Sequence, residues 1–456
     1  MSQQIKIALL MAASLFMEIL DGTIVTTALP KIAQTFHQSS STVALLVSVY
    51  LITVAVFIPV SGWLARRFGK RRIWLIAVIL FTVSSLGSAL APNFTVLLVM
   101  RMLQGLAGSL MTPTARLIVL EKTAPADLLK MMSYLIWPAL IAPAIAPVVG
   151  GALATYASWH WIFLINVPIG LISWVIGLKL LAPDQSNERP SFDLIGFFEI
   201  AAASLLLLVS ADSASQAHPN WWLSAALFGL GIILTLVVSY HLTHAKQPLF
   251  AVTALKIPSF RISQTGGSIL WLSVGSLPYL LTVYLQTVLH WSALAAGSLV
   301  IFIFLGNIGI KPFTTALIEK LGYRNAILLA LGLVLISGVA LAFMTAATPA
   351  AIIAILAAIS GVGRSLALTA YNGLSLTEVE FAERNSANTL SAVTQTLAQG
   401  IGVALVTLVV SLFSLIAPIN LAYQAGFAFL GLLMIAPIIE VWILPKNIGE
   451  QGLHHS

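Results

Sequence analysis

GWLARRFGKRR, residues 62–72, and TALIEKLGYRN, residues 315–325, are two copies of one loop. They align without gaps, pairing Leu64 with Leu317, Arg67 with Lys320, Gly69 with Gly322 and Arg71 with Arg324. Each copy joins two apolar runs of about 20 residues, the length that crosses a bilayer as a helix. Working outward, similar runs recur along the chain and give fourteen spans: 6–29, 43–65, 73–92, 95–118, 132–154, 160–182, 194–211, 221–243, 264–287, 294–316, 325–345, 349–373, 386–413 and 423–444. The repeated loop places spans 1–6 and 9–14 in register as two six-helix halves around an inserted pair, spans 7 and 8. Parallel six-helix repeats are a transporter architecture, with substrate sites near the midplane between halves. The expected fold is therefore an all-α polytopic membrane protein. Its expected divisions are an N-terminal six-helix bundle (1–182), linkers and an inserted helix pair (183–260), and a C-terminal six-helix bundle (261–456). The polar linker Ala182 to Asp193 marks the first boundary. Thr243 to Phe260 marks the second and has room for a short interfacial helix.

Composition points the same way. Hydrophobic residues make up 59% of the chain and charged residues 8%, where soluble domains carry roughly a quarter charged. Mean hydropathy is +1.00. The absence of Cys excludes disulfides, thiolate metal sites and cysteine nucleophiles. The formal charge of +7 is a topology signal: of 22 Lys and Arg, eighteen fall in the termini, loops and helix ends of one side. Lys31 alone falls on the other side, and Arg101, Lys311 and Arg364 fall within spans. By the positive-inside rule, both termini are expected in the cytoplasm, with the protein in the inner or plasma membrane. Nucleic acid is not an expected partner. The first apolar run has no small-residue cleavage site after it and is read as a retained span, not a signal peptide.

The few charges inside spans are the candidate functional groups. Asp21 lies in LDGTIVTTALP, residues 20–30, within the first span. A carboxylate at that depth costs several kcal/mol if charged and unpaired. Glu18 is three residues earlier, on the same helical face. Two carboxylates facing one space repel when both are ionised, which suits a proton carrier; salt bridges made only for packing are the alternative. Span 4 puts Arg101, Gln104, Gly105, Gly108 and Thr112 on one face. Its guanidinium needs an acceptor, and Arg101 is expected to face Asp21 or Glu18. Span 5 carries Pro138, Pro143 and Pro147 beside a small-residue stripe of Ala139, Ala142, Ala146 and Gly150. A kinked, small-faced helix is suited to close packing that opens and reseals. In the second half, Lys311 lies about 12 Å inside the membrane from Glu319, at 1.5 Å per residue. Arg364 and Tyr371 share a face of span 12, and Asn388, Ser391, Gln395, Gln399 and Gly402 form a polar stripe on span 13. Interhelical hydrogen bonding explains such a stripe as well as a cavity does. With Gln104 and Trp137, the residues Lys311, Arg364, Tyr371, Asn388, Gln395 and Gln399 are the candidate cavity set. Tyr134, Trp271, Tyr279 and Tyr284 are further aromatic candidates, although aromatic residues near span ends more often anchor the interface. Glu199 and Glu440 are peripheral, and His160 is a lone histidine expected to be structural.

The chain resembles the drug/proton antiporter-2 group of the major facilitator superfamily, the EmrB/QacA type, over nearly its whole length. The resemblance is carried by LDGTIVTTALP in the first helix, GWLARRFGKRR between helices 2 and 3, and RMLQGLAGSLMTP (101–113) in the fourth. APAIAPVVGG (142–151) in the fifth, SWHWIFLINVPIG (158–170) and FDLIG (192–196) complete it. The WHWIFLIN run is closest to the MdtD-like branch. The resemblance implies proton coupling through Asp21, with Glu18 and Arg101. It implies gating through Gly62, Arg66, Gly69 and Arg71, their counterparts Glu319, Gly322 and Arg324, and Pro147, Gly150 and Gly151 of helix 5. Two departures stand out. Ala142 and Ala146 replace the usual glycines of the helix-5 motif. Arg66 replaces the usual acid of the loop, whereas Glu319 keeps it in the second copy, so the gate is expected to lean on Glu319.

No phosphate-binding loop, HExxH or paired His cluster is present in the sequence. No cofactor or metal is expected, and a proton gradient is the expected energy source. The function expected is proton-coupled export of drugs or toxic amphipathic small molecules by alternating access. Export of an endogenous metabolite is the alternative, and a membrane sensor or embedded enzyme is a distant third, since no catalytic constellation is visible. The expected partners are a small-molecule substrate and the lipid bilayer. Substrate identity, stoichiometry, oligomeric state and any envelope adaptor protein are not written in the sequence.

Overall fold

The computed structural model describes residues 3–38, 40–121, 123, 127–184, 191–214, 220–291, 293–445 and 448–449. Every element among these is helical. Along the chain they are α1 (Gln3–Phe36), α2 (Ser40–Phe68), α3 (Lys70–Ala89), α4 (Phe94–Glu121), α5 (Leu128–Tyr156), α6 (Trp161–Leu164), α7 (Asn166–Leu180), α8 (Leu194–Ala214) and α9 (Trp221–His244). They continue as α10 (Pro258–Thr287), α11 (Ala293–Ala342), α12 (Ala350–Thr377), α13 (Arg384–Ser414), α14 (Ile419–Leu432) and α15 (Ile435–Trp442). A 3₁₀ turn at Thr253–Lys256 stands in the second linker, where a short helix was expected.

Among the described residues, twelve helices are long and apolar enough to cross a membrane. The difference from fourteen spans has two sources. One of the twelve runs from Ala295 to Ala342, a length of about 70 Å as a straight helix against a bilayer core of about 30 Å. It turns sharply at Gly322, whose φ of 74° and ψ of 160° are non-helical, so spans 10 and 11 are joined there without an intervening loop. The helix α5, 29 residues long, lies outside the twelve.

The two loop copies do the same structural work. Gly69 and Gly322 both have positive φ, 93° and 74°, a conformation that costs a side-chain-bearing residue about 1–2 kcal/mol. Two residues beyond each glycine, an arginine clasps the end of another helix. Arg71 Nη2 donates to the Leu178 carbonyl near the end of α7 at 3.0 Å. Arg324 Nη2 donates to the Trp442 carbonyl at the end of α15 at 2.7 Å. The start of α3 has a further partner: the backbone N–H groups of Arg71 and Arg72 donate to the two Asp184 carboxylate oxygens at 2.9 and 3.0 Å. A carboxylate there satisfies free N–H groups and complements the helix dipole.

Helices pack in pairs: α1 on α5, α3 on α4, α8 on α9, α10 on α13 and α11 on α12. Small residues set the closest crossings. A Cβ on Gly150 would collide with Thr27 and Ile24 of α1, and one on Gly402 with the Leu272 carbonyl of α10. The helix α8 also lies against α2 and α13. One apolar core gathers Met11, Trp74, Phe81 and Met111 with Leu376 and Val393 of α12 and α13.

Candidate proton-coupling site and central cavity

Asp21 is fully enclosed, at 0% exposure. Three side chains from two other helices converge on it. Arg101 Nη1 of α4 makes a short ion pair with its Oδ2. Gln104 Nε2 and Asn166 Nδ2 donate to Oδ1 at 3.1 and 2.7 Å. Gln104 is itself oriented, because its Oε1 accepts from Arg101 Nη1 at 3.0 Å and its Nε2 donates to Ser85 Oγ at 2.8 Å. Arg101 is held by the Leu46 carbonyl at 3.2 Å and stacks over the Tyr50 ring, 4.3 Å from its centroid. Arg101 faces Asp21 and not Glu18. The i, i+3 step in RMLQ puts both α4 donors on one face, and Asn166 opens α7 opposite them. Asn166 was not singled out from the sequence, although its polar amide in the apolar run WIFLINVPIG was a signal.

Glu18 stands apart from that cluster. It is partly exposed and accepts a short hydrogen bond from Thr112 of α4. A Cβ on Gly108 would lie 3.2 Å from its Oε1. One turn of α1 thus carries a sealed carboxylate and a more accessible one.

The remaining candidates fall into three groups. Gln104, at 0% exposure, belongs to the Asp21 cluster and not to a cavity wall. Lys311 and Arg364 are buried among helices of the second half. Lys311 Nζ donates to Thr369 Oγ1 at 2.6 Å, and Arg364 Nη2 donates to Ser273 Oγ at 2.8 Å. The third group lines a small cavity among α10, α12 and α13, walled by Gln264, Trp271, Tyr371, Asn372, Thr394 and Gln395 among others. Its volume, ≈ 20 Å³, admits about one water. Tyr371 Oη is buried there without a hydrogen-bond partner. Gln399 is exposed. Tyr284 is committed to structure, donating to the Met344 carbonyl at 2.9 Å. The side chains of Trp137, Pro147 and Gly151 lie outside the described residues.

The bundle end that carries loop 62–72 is sealed by hydrogen bonds between the helices before and after the inserted pair. Asn385 Nδ2 donates to the Gly62 carbonyl and Asn388 Nδ2 to the Pro113 carbonyl, both at 3.1 Å. Arg116 Nη2 donates to Asn372 Oδ1 at 2.6 Å. Asn388 is therefore part of this seam. Arg116 was read from the sequence as a charge at a span end. The helix α4 runs on to Glu121, which puts Arg116 more than a turn inside it. Arg66 also has a defined contact: its Nη2 donates to the Leu249 carbonyl at 3.2 Å. The Leu249 N–H donates in turn to Asp193, which faces His241 at 3.0 Å. Glu319, expected to take over the gate, is exposed and has no hydrogen bond or ion pair among the described residues. The arginine that replaced the usual acid thus ties loop 62–72 to the linker that follows the inserted pair.

A helical membrane bundle built on a duplicated loop, with a sealed carboxylate–guanidinium cluster and a polar internal cavity, defines a membrane transporter and not an enzyme. The chain belongs to the Major Facilitator Superfamily, whose family model matches residues 11–403 and 265–452. It is 32% identical over 407 residues to the putative multidrug resistance protein MdtD of Salmonella paratyphi A, covering 89% of this chain and 86% of that protein. The protein of the same name from Salmonella typhimurium matches with the same identity and coverage. Among solved structures, the human organic anion transporter MFSD10 (TETRAN) superposes with a TM-score of 0.70 at 15% identity, over 97% of this chain and 100% of that one. The proton:xylose symporter XylE superposes with a TM-score of 0.66 at 15% identity, over 97% and 96%. At that identity the likeness is one of fold.

Proposed function

We propose that this protein exports drug-like amphipathic small molecules in exchange for protons. Residues 1–182 and 261–456 act as two six-helix units that rock about the midplane, and residues 183–260 link them and contribute the inserted pair. Loop 62–72 and both termini face the cytoplasm of the inner or plasma membrane, following the Lys and Arg asymmetry. The hydrogen-bonded seam at that end then makes this state closed to the cytoplasm. The relatives named for multidrug resistance support the substrate class.

The observation that carries the reading is the enclosure of Asp21 with Arg101, Gln104 and Asn166. A proton added to Asp21 removes the counter-charge of Arg101 in a fully buried site. Breaking a buried pair costs about 3–5 kcal/mol. That is enough to move a two-state equilibrium by roughly two to four powers of ten. The protonation state of one carboxylate therefore sets which packing of the α1–α4–α7 cluster is stable. Glu18, partly exposed and one turn away, is the relay between Asp21 and the central space. The purified protein in liposomes should move ethidium against its gradient when a proton gradient is imposed. A wild-type protein that moves it at the same rate with the gradient collapsed would refute proton coupling.

A further inference from the structure

We propose that Arg116 and the cavity beside it form a subsite for an organic anion, a carboxylate carried on a flat apolar body. The inference rests on the transporter reading and adds an anion-selective subsite at the seam, separate from the path taken by a cation such as ethidium. It begins from the charges buried between the helices. Asp21 is taken by Arg101, and Glu18 accepts from the neutral Thr112. Four further cations have only neutral partners among the described residues: Arg116 with Asn372, Lys311 with Thr369, Arg364 with Ser273 and the Val274 carbonyl, and Arg384 with the Val379 and Leu120 carbonyls. The nearby acid of α15, Glu440, also has only a neutral partner, Thr265 on α10, and pairs with none of these cations among the described residues. Cations thus outnumber acids around α12, whose residues accept from two of the four.

Buried cations without an anion are costly and mark ligand pathways in membrane proteins. Arg116 is the one placed to meet a ligand. It is only partly buried, it reaches across the seam from α4 to α12, and its partner Asn372 lines the cavity. One guanidinium donor is used on Asn372, which leaves the rest of the planar fork for a carboxylate. The cavity wall supplies what the body of such a ligand needs: the Trp271 ring for a flat face, and Gln395 and the unpartnered Tyr371 hydroxyl for polar contacts. The present ≈ 20 Å³ is too small for any such ligand, so the subsite opens when the seam parts. Asn372 then releases Arg116 to the ligand.

The test is equilibrium binding to the purified full-length protein with no gradient, using radiolabelled 1-naphthoate and competition by neutral 1-naphthamide and cationic 1-naphthylmethylammonium. The carboxylate should bind about tenfold or more tighter than either competitor, as a charge-assisted bidentate contact demands. Arg116→Lys should keep the charge-dependent part of the preference but not the bidentate part, and Arg116→Gln should erase it. If Arg116→Gln does not fold, protection of wild-type Arg116 from phenylglyoxal by naphthoate, and not by naphthamide, reads the same contact. Equal binding of all three probes, or a preference that survives Arg116→Gln, would overturn the subsite. Charge-blind binding beside intact proton-driven ethidium export would sink the subsite alone. Charge-selective binding without gradient-driven export would instead sink the transport mechanism and leave the subsite standing.

Discussion

Replacing Arg101 with Ala removes the one cation that faces Asp21 and leaves the carboxylate at 0% exposure with two amide donors, Gln104 and Asn166. The loss of one member of a buried pair costs about 3–5 kcal/mol. The cation–π contact over Tyr50, 4.3 Å from ring centre, adds up to about 2 kcal/mol when desolvated. The excess over simple packing loss comes from the stranded charge, so it should vanish when the charge is removed as well. Asp21→Asn added to Arg101→Ala should therefore recover at least about 2 kcal/mol, because a neutral amide makes no demand for a cation. Unfolding free energies in mixed SDS micelles, measured for wild type, both single variants and the double variant, give the coupling directly. A double variant no more stable than Arg101→Ala would show that Arg101 acts through packing, and the electrostatic account of this cluster would be wrong.

Other perturbations follow from the same contacts. Gly69→Ala forces a Cβ onto φ 93° and into the Asp184 carboxyl group, and should cost about 1–2 kcal/mol or more; Asp184→Ala should cost about 0.5–2 kcal/mol through the lost helix cap. Both should appear in the same unfolding assay, and a neutral result for both would remove the cap from the account. Arg66→Asp should loosen loop 62–72 from the segment at Leu249, seen as faster amide exchange at residues 62–72. Glu319→Gln should stay within about 0.5 kcal/mol of wild type, as expected for an exposed group without partners; the reverse order would return the gate to Glu319. Asn385→Ala with Asn388→Ala removes two bonds of the seam. It should lengthen spin-label distances between residues near Gly62 and residues near Asn385, and unchanged distances would mean that the seam does not hold this end closed.

Much of the fold was legible in the sequence because bilayer physics writes it in long runs: apolar length, basic asymmetry and a repeated loop are all one-dimensional signals. The departures are local and physical. Spans 10 and 11 meet at Gly322 just as α2 and α3 meet at Gly69, so each loop copy narrows to one glycine, which hydropathy does not register. At the site, Asp21 and Arg101 were legible as charges at depth that need each other. Asn166 and Asp184 were harder to find. An amide or a linker carboxylate acquires its role from the helices that come to meet it. Arg116 was hidden by an assumption about where α4 ends: at the margin of a span, a cation reads as a topology signal, and more than a turn inside the helix it reaches Asn372 across the seam. Arg66 shows the opposite case. The sequence marked it as a departure, and only the fold supplies its partner, a backbone carbonyl 183 residues away.

The most direct test of the central claim compares two modes of transport in liposomes containing Asp21→Asn. If protonation of Asp21 couples the gradient to the movement of the two halves, the variant should still exchange ethidium down its own gradient, because the cavity and seam are intact. Uphill transport driven by an imposed proton gradient should be lost. Uphill transport at the wild-type rate in Asp21→Asn would contradict the account.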